Sequence, residues 1–345
     1  MRNRLNIVLC LVLLAQVLCS CSPTVCHRVR QMEYAVWLKT YDRMIVSISP
    51  YDNSTDTLKI DKPFGKIVCM STSHIAFLDA IGCDSVIAGV SGAGYITSPQ
   101  LKARLAAGEA CDVGYDQAPD YEKIVAISPD VLLAYRVSET ESPFLNKVKS
   151  LGIRVFSLYE FMERHPLARA EYVKAFGIMT GRSYQADSVY NAVRNNYNSK
   201  IEKVENPVKV LLNIPYGDIW YIPGSDNYMT QLISDAGGTV LGSRKNSARS
   251  TAISLEEAYV LSSQADFWLN PGICRTKEEL YRANPLFKSF PITSIYNNTL
   301  RSTSGGGNDF WESGCLRPDL ILDDLKAIFS GKASEAELNY YLKVD

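Results

Sequence analysis

The amino-acid sequence predicts an α/β protein of two doubly wound lobes with a ligand cleft between them. Apolar strand patterns alternate with helical patterns in residues 63–165, the same alternation restarts at residue 207, and only helical patterns lie between the two regions. Strands that alternate with helices form parallel sheets covered on both faces. We therefore expect a first lobe at 63–165, a helical linker at 166–206 and a second lobe at 207–345.

The first residues of the chain carry an export signal. Arg2 and Arg4 precede an apolar run at 5–18, which is too short to span a bilayer comfortably. The run ends in Leu-Cys-Ser-Cys, which resembles the cleavage site of bacterial lipoproteins. We predict a signal peptide at 1–20 and a lipid on Cys21, which would then begin the mature chain. The alternatives are an uncleaved membrane anchor and an ordinary signal that is cut elsewhere.

The composition narrows the class of function. Among 345 residues, 36 Lys and Arg nearly balance 37 Asp and Glu without a long basic run, which argues against nucleic acid as a partner. Three well-separated histidines argue against a dedicated metal site, and no Cys-x-x-Cys pair is present. Twenty tyrosines and four tryptophans favour a large, partly apolar binding surface. We expect a monomer without a cofactor, and the sequence assigns no disulfide pairing.

A β extension precedes the first lobe. Apolar and polar residues alternate from Tyr34 to Ile60 around a turn at 50–54, which predicts two or three short antiparallel strands. Together with the linker that follows Cys21, this extension occupies residues 21–62. At Pro63 the pattern changes to the strand and helix alternation of the first lobe.

The linker consists of two successive helical patterns. Pro166 suits the first position of a helix and Gly181 suits its end, and a second, longer helix begins near Ser183. The α/β alternation restarts after Pro207 and continues to a final helix at 318–329.

The two lobes share a weak internal repeat. Residues 122–133 and 256–269 each place a glutamate in the first turn of a short helix, then an apolar helix body, a serine-containing turn and an apolar strand. Two lobes with a similar design would enclose a cleft.

The pattern resembles the substrate-binding proteins of ABC importers for iron-siderophore complexes, haem and cobalamin. The resemblance covers residues 63–330 and rests on four segments in order, at 65–82, 86–90, 121–130 and 232–238. It implies two lobes joined by a long, fairly rigid helix, a ligand held in the cleft and delivery of that ligand to a membrane permease. It implies no catalytic residues.

The resemblance also implies a role for one glutamate on each lobe. In this family such glutamates dock into arginine pockets of the permease, and by motif they correspond to Glu122 and Glu256, with Glu257 as the competitor for the second position. Two exposed carboxylates on separate lobes can report through charge-assisted pairs whether the cleft is closed. The alternative is that each glutamate only complements a helix dipole.

Candidate ligand contacts lie in loops that follow strands, where doubly wound sheets bind ligands. Four such loops carry aromatic residues, and the fourth loop begins with three successive glycines at 305–307. The candidate aromatic contacts are Tyr95, Tyr115, Tyr216, Trp220 and Trp311.

Arginines are the candidates for binding an anionic group, because the guanidinium matches carboxylate or catecholate oxygens. We select Arg301 for this role, and four others also qualify: Arg136, Arg249, Arg275 and Arg317. The sequence leaves siderophore, haem and cobalamin open as ligands. His74 could suggest an axial ligand, but its place in the first turn of a helix favours a structural role.

Two other functions remain as alternatives. A surface lipoprotein could capture the same ligands for an outer-membrane receptor, and Ser22 after Cys21 is compatible with either membrane. An enzyme that modifies a metal or tetrapyrrole could use a related scaffold, but the sequence lacks clustered metal ligands, a nucleophile elbow and a phosphate loop.

Overall fold

The structure, a computed structural model, describes residues 29–201, 204–333 and 337–345. The predicted signal peptide, Cys21 and Cys26 lie outside the described residues. Within these ranges, no helix has both the length and the apolar character needed to cross a membrane.

The extension before the first lobe is an antiparallel sheet of four strands in sequence order. These are β1 (Val29–Arg30), β2 (Leu38–Tyr41), β3 (Met44–Ile48) and β4 (Thr55–Lys59). Alternate residues of β2 and β3 are buried, as expected for strands with one face on a core. The predicted antiparallel strands are therefore present as β2, β3 and β4, and β1 lies before the range of the prediction.

A parallel sheet of five strands forms the first lobe, in the order β11-β10-β5-β6-β7. These strands are β5 (Ile67–Cys69), β6 (Ile87–Val90), β7 (Cys111–Asp112), β10 (Val131–Ala134) and β11 (Val155–Ser157). The chain order reverses between β5 and β10, so the carboxyl ends of these strands meet at a topological switch point. A small hairpin, β8 (Gly114–Tyr115) with β9 (Ala118–Pro119), follows β7.

The second lobe repeats this design in a five-stranded sheet of order β14-β12-β16-β17-β18, in which only β18 is antiparallel. Its strands are β12 (Val208–Leu212), β14 (Gly238–Val240), β16 (Phe267–Leu269), β17 (Ile295–Asn297) and β18 (Leu342–Lys343). An antiparallel pair lies beside it, β13 (Trp220–Ile222) with β15 (Thr251–Ile253). The fold is thus the predicted pair of α/β lobes.

Helices cover the sheets of both lobes. Those of the first lobe are α1 (Thr72–Ala80), α2 (Pro99–Ala106), α3 (Tyr121–Ile127) and α4 (Pro143–Ser150). Those of the second lobe are α8 (Tyr228–Asp235), α9 (Leu255–Ser262), α10 (Lys277–Ala283) and α11 (Pro318–Phe329). Short 3₁₀ helices occur at Asp84–Val86, Ala93–Tyr95, Glu160–Met162, Pro285–Ser289 and Ser313–Cys315.

Three helices join the lobes: α5 (Pro166–Glu171), α6 (Val173–Thr180) and α7 (Ser183–Asn198). Pro166 begins the first and Gly181 ends the second with a φ of 71°, both as predicted. The first predicted stretch is divided at Tyr172, which separates α5 from α6.

The residues before β2 form a strap, residues 29–37, that is fastened to the linker. Glu171 accepts the backbone N–H groups of residues 33, 34 and 35 at 2.8–3.0 Å, and Glu163 accepts those of residues 36 and 37 at 2.9–3.1 Å. Tyr172 donates its hydroxyl to Glu163, and Lys174 pairs with Glu171 at 2.7 Å. Two buried carboxylates thus satisfy five consecutive backbone donors of the strap.

Surface ion pairs fasten the same strap to helix α7. Arg30 pairs with Asp187 at 2.6 Å, and Arg194 pairs with Glu33. The strap therefore contacts both ends of the linker segment that runs from Glu163 to Arg194.

The two lobes touch beside the cleft through the segment 303–312. Glu312 of the second lobe accepts the backbone N–H groups of Thr97 and Ser98 of the first at 2.7 and 2.8 Å. A Cβ at Gly305 would lie 2.3 Å from the carbonyl oxygen of Gly94, so only glycine permits this close approach of the two backbones. Burial raises the pKa of Glu312 to about 7, although its hydrogen bonds oppose that shift.

Candidate ligand cleft

A cavity of about 450 Å³ lies between the two lobes. The loops that follow β5, β6, β10 and β11 of the first lobe line one side, the segment 306–315 of the second lobe lines the other, and α5 contributes to the lining. Carboxyl ends of parallel strands at a switch point are where doubly wound sheets bind ligands. The volume falls within the range of small-molecule sites, about 300–1,000 Å³.

Three of the predicted aromatic residues line this cavity. Tyr95 and Tyr115 come from the first lobe and pack edge to face with ring centroids 5.8 Å apart, and Trp311 comes from the second lobe. Each of the three is 43–45 % exposed, which is high for side chains of this size. Two further aromatic residues that the sequence did not single out, Tyr135 and Phe161, complete the walls.

The loop that carries Tyr95 is held by a carboxylate. Asp112, at the end of β7, accepts the backbone N–H groups of Gly92, Ala93 and Gly114 at 2.7–3.1 Å. Gly92 has a φ of 68°, and a Cβ there would lie 2.3 Å from the ring of Tyr115. A Cβ at Gly92 would also lie 2.9 Å from the ring of Tyr95, so glycine at this position allows both tyrosine rings to approach the same wall.

The floor of the cavity carries two buried charged side chains, Glu160 and Arg169, which are 2 % and 7 % exposed. Glu160 accepts a hydrogen bond from Ser73 Oγ at 2.6 Å, and Arg169 donates to the sulfur of Cys315 at 3.0 Å. The guanidinium of Arg169 also lies 4.2 Å from the ring centroid of Tyr228. These contacts link the first lobe, the linker and the second lobe at one point.

The electrostatics of the floor keep Arg169 charged. Burial acts to lower the pKa of Arg169, but the neighbouring Cys315, Tyr228 and Glu160 more than offset this, so that the pKa lies above its usual range. Burial raises the pKa of Cys315 to about 11, so the thiol is neutral near pH 7. The adjacent His74 is fully buried, and burial lowers its pKa. It lies in helix α1, packs against Phe176 and does not line the cavity, which agrees with a structural role.

Two predicted contacts lie elsewhere. Trp220 is fully buried in the second lobe, where it packs against Trp268 and Phe290 and donates its ring N–H to the carbonyl of Leu212. Its prediction as a ligand contact was wrong, because the alternation of β13 turns this ring into the core. Tyr216 is 85 % exposed on the loop before β13 and does not line the cavity.

Arg301 lines a second space between the lobes, of about 600 Å³, on the far side of the Glu312 contact. It pairs with Asp309 at 2.7 Å and lies 4.5 Å from the ring centroid of Tyr340. Of the other candidate arginines, Arg317 pairs with Asp319 and Arg275 donates to the carbonyl of Thr299. The arginine of the cleft is instead Arg169, which the sequence did not single out.

Residues 67–272 match the periplasmic binding protein family. The chain belongs to this family of periplasmic binding proteins. The match covers more than half of the sequence and includes the sheet of the first lobe, the linker and the first strands of the second lobe. Since this is a family of binding proteins, the chain is a binding protein and not an enzyme.

Two curated relatives of this binding protein come from Methanocaldococcus jannaschii, and both are described as uncharacterized lipoproteins. One is 27 % identical over 294 residues, which span 82 % of this chain and 70 % of the relative. The other is 27 % identical over 210 residues, which span 56 % of this chain and 52 % of the relative.

Solved structures confirm the fold of this binding protein. A periplasmic heme binding protein from Pseudomonas aeruginosa superposes with a TM-score of 0.61 at 18 % identity, over 82 % of this chain and 98 % of that protein. The triscatecholate siderophore binding protein from Bacillus subtilis, complexed with ferri-bacillibactin, superposes with a TM-score of 0.59 at 17 % identity, over 83 % and 99 %. At such identities, the similarity establishes the two-lobed fold and leaves the ligand open.

Metal-binding groups are scarce in this binding protein. Within 29–201, 204–333 and 337–345, no group of three or more His, Cys, Asp or Glu side chains is arranged to hold a metal ion. The five described cysteines are free thiols: Cys69, Cys83, Cys111, Cys274 and Cys315.

Proposed function

We propose that this chain is the lipid-anchored solute-binding component of an ABC importer, which captures an iron-siderophore complex, haem or cobalamin and delivers it to a membrane permease. The observation that carries the proposal is the cleft between the lobes, with its exposed aromatic walls and its buried polar floor. Tyr95, Tyr115 and Trp311 would contact the ligand. Such rings suit a large, partly apolar molecule that is enclosed between two surfaces.

The surface of each lobe supports docking to a permease. Glu122 in the first turn of α3 is exposed, and the apolar side chain of Val125 on the same helix is 48 % exposed. Glu256 in the first turn of α9 is exposed as well, and Tyr259 and Val260 on that helix are 45 % and 54 % exposed. A carboxylate beside exposed apolar groups is the composition expected of a docking surface.

The structure favours Glu256 over Glu257 as the second docking residue. Glu257 accepts the backbone N–H of Ser254 at 2.8 Å, and Ser254 Oγ accepts the N–H of Glu257, so that the two form a capping box. Glu256 is exposed, and hydrogen bonds from its own backbone N–H and from the side chain of Ser254 lower its pKa. It is therefore ionised and available to pair with an arginine.

Lipid anchoring is the third part of the proposal. It rests on the Leu-Cys-Ser-Cys sequence before residue 22 and on the two relatives that are described as lipoproteins. The anchor would hold the binding domain at the outer face of the membrane that carries the permease.

Charge reversal at both docking residues tests the proposal. We expect Glu122→Arg combined with Glu256→Arg to leave ligand affinity unchanged and to reduce uptake by more than about tenfold, because each reversal replaces attraction to an arginine by repulsion. Uptake is measured in cells that depend on this protein for the ligand. The matched control is Glu139→Arg with Glu278→Arg, which makes the same change in total charge at exposed positions on the two lobes.

The two alternatives are separated by the same assay. Normal uptake by the Glu122 and Glu256 double variant, with binding intact, would contradict docking and favour a surface lipoprotein that serves an outer-membrane receptor. Equal loss in the control variant would show that overall charge matters and not the two docking sites.

A further inference from the structure

The two charged residues of the cleft floor each retain an unused hydrogen-bonding atom. Glu160 uses one carboxylate oxygen for Ser73, and its Oε2 atom has no partner. Arg169 uses one terminal nitrogen for Cys315, and its Nε atom has no partner. Buried polar atoms without a hydrogen-bond partner are uncommon in folded proteins, because leaving them unpaired is unfavourable. Both atoms belong to residues that line the cavity, where a ligand could supply the missing partners.

The two side chains do not satisfy each other. Both belong to the described part of the chain, where the contacts of Glu160 within ion-pair distance include His74 at 3.8 Å but not Arg169. The face of the guanidinium lies over the ring of Tyr228 of the second lobe, and the carboxylate accepts a hydrogen bond from Ser73 of the first lobe. The acceptor and the donor are therefore fixed on different elements, with the cavity extending to both.

The charge of the cavity limits the ligand that can use this pair. Among the described residues that line the cavity, Glu160 and Arg169 are the only ones of charged type, and their formal charges cancel. A ligand with several negative groups would be repelled by the carboxylate of Glu160, and only the guanidinium of Arg169 would be available to balance its charge. An uncharged ligand group that offers both a donor and an acceptor meets no such repulsion.

We propose that Glu160 and Arg169 together bind a primary carboxamide of an uncharged ligand. The N–H groups of the carboxamide donate to the Glu160 carboxylate, and its carbonyl accepts from the Arg169 guanidinium. The two side chains turn toward the cavity as the ligand enters, and Tyr95, Tyr115 and Trp311 cover its apolar body. This inference rests on the proposed function. Among the ligands named there, it favours a corrinoid, which carries carboxamides, over haem, which is a dicarboxylate, and over a tris-catecholate anion.

A comparison of closely matched ligands tests the inference. The full-length protein in detergent is titrated with cyanocobalamin, with its monocarboxylic acid derivatives, with haemin and with a ferric tris-catecholate, and detergent-only blanks are subtracted. We expect cyanocobalamin to bind most tightly. We also expect at least one monocarboxylic acid, in which a single carboxamide has become a carboxylate, to bind about tenfold or more weakly than cyanocobalamin.

Substitutions at the floor identify the residues involved. Glu160→Gln should weaken cyanocobalamin binding about tenfold. It should also reduce or reverse the difference in affinity between cyanocobalamin and that monocarboxylic acid, because the charge that repels the carboxylate of the ligand is gone. Arg169→Gln should also weaken cyanocobalamin binding about tenfold, and Arg169→Lys provides a second variant that keeps the positive charge. Glu139→Gln, exposed and outside the cleft, is the control. Circular dichroism and thermal unfolding establish that each variant is folded.

The outcomes separate this inference from the proposed function. Tighter binding of haemin or of the ferric tris-catecholate would overturn the carboxamide site and leave the proposed function standing. Unchanged cyanocobalamin affinity in folded Glu160→Gln and Arg169→Gln would also overturn the site. Absence of binding to every ligand of the panel by the folded wild-type protein would overturn the proposed function as well.

Discussion

Two buried glutamates on the same stretch of chain have opposite hydrogen-bonding environments. Glu171, beneath the strap, is fully buried, and its carboxylate accepts three backbone N–H groups and pairs with Lys174. Glu160, on the cleft floor, is 2 % exposed, and one of its oxygens has no partner. The first arrangement stabilises the fold, and the second keeps a charged acceptor available at the site. Burial alone therefore does not distinguish a structural carboxylate from a functional one.

Removal of Glu171 should produce the largest effect on stability. Glu171→Ala leaves three strap N–H groups and the ammonium of Lys174 without their acceptor, and an unsatisfied buried group costs about 1–3 kcal/mol. We expect a loss of about 3 kcal/mol or more in the free energy of unfolding, measured by chemical denaturation. The control is Glu139→Ala at an exposed position. A loss below about 1 kcal/mol would show that water replaces the carboxylate and that the strap is not a stabilising element.

The pH dependence of stability should show a smaller effect, which comes from the carboxylates of the strap and of the lobe contact. Burial raises the pKa of Glu163 and of Glu312 to about 7, above the usual value of about 4.3. A raised pKa means that the folded state binds more protons, so the stabilisation is complete below the unfolded pKa and is lost as pH rises through 7. We expect the free energy of unfolding to fall by about 1 kcal/mol per group between pH 6.5 and 8.5.

The histidines contribute with the opposite sign near the lower end of this window. Burial lowers the pKa values of His74 and His165, so each gains a proton on unfolding around and below the unfolded value of about 6.5, and this contribution cancels when the wild type is compared with Glu163→Gln. Chemical denaturation is repeated across the window with Glu163→Gln, which cannot titrate. A slope equal to that of the wild type would mean that Glu163 is already ionised throughout the window.

The smallest effect on stability is expected at the cleft floor. Glu160→Gln keeps the shape of the side chain and can still accept the hydrogen bond from Ser73, while the unpartnered charge disappears. We expect the free energy of unfolding to change by less than about 1 kcal/mol in either direction. Thermal and chemical denaturation measure it beside Glu171→Ala. A loss as large as that of Glu171→Ala would place Glu160 among the structural carboxylates and remove the contrast between the two regions.

The sequence predicted the fold well, because hydrophobic periodicity and helix ends are local properties. Helix α11 has the bounds expected from its pattern, and Ser183 begins α7 as predicted. Elements with a weak apolar pattern escaped prediction: α2 and α10 have few buried residues, and β18 is a two-residue strand added at a sheet edge.

The cleft was predicted only in part, because its residues meet through tertiary contacts. Tyr95, Tyr115 and Trp311 reach the cavity, but Trp220, which was selected by the same rule, lies in strand β13 and turns into the core. Arg169 could have been found as a charged residue in the otherwise apolar stretch that begins α5, where its neighbours Leu167, Ala168 and Ala170 are all buried. Glu160 and Arg169 lie on neighbouring elements, the 3₁₀ helix Glu160–Met162 and α5, but no sequence pattern shows that both side chains line the same cavity.

The attachment of the strap has a mechanical consequence. An anchor that held the protein at its amino terminus would pull on Arg30 and Glu33, which are bound to helix α7 and to Glu171 of the linker. Strand β1 would carry part of the same load into β2 of the extension. None of these residues lines the cleft, so such a pull would act away from the ligand-binding surface.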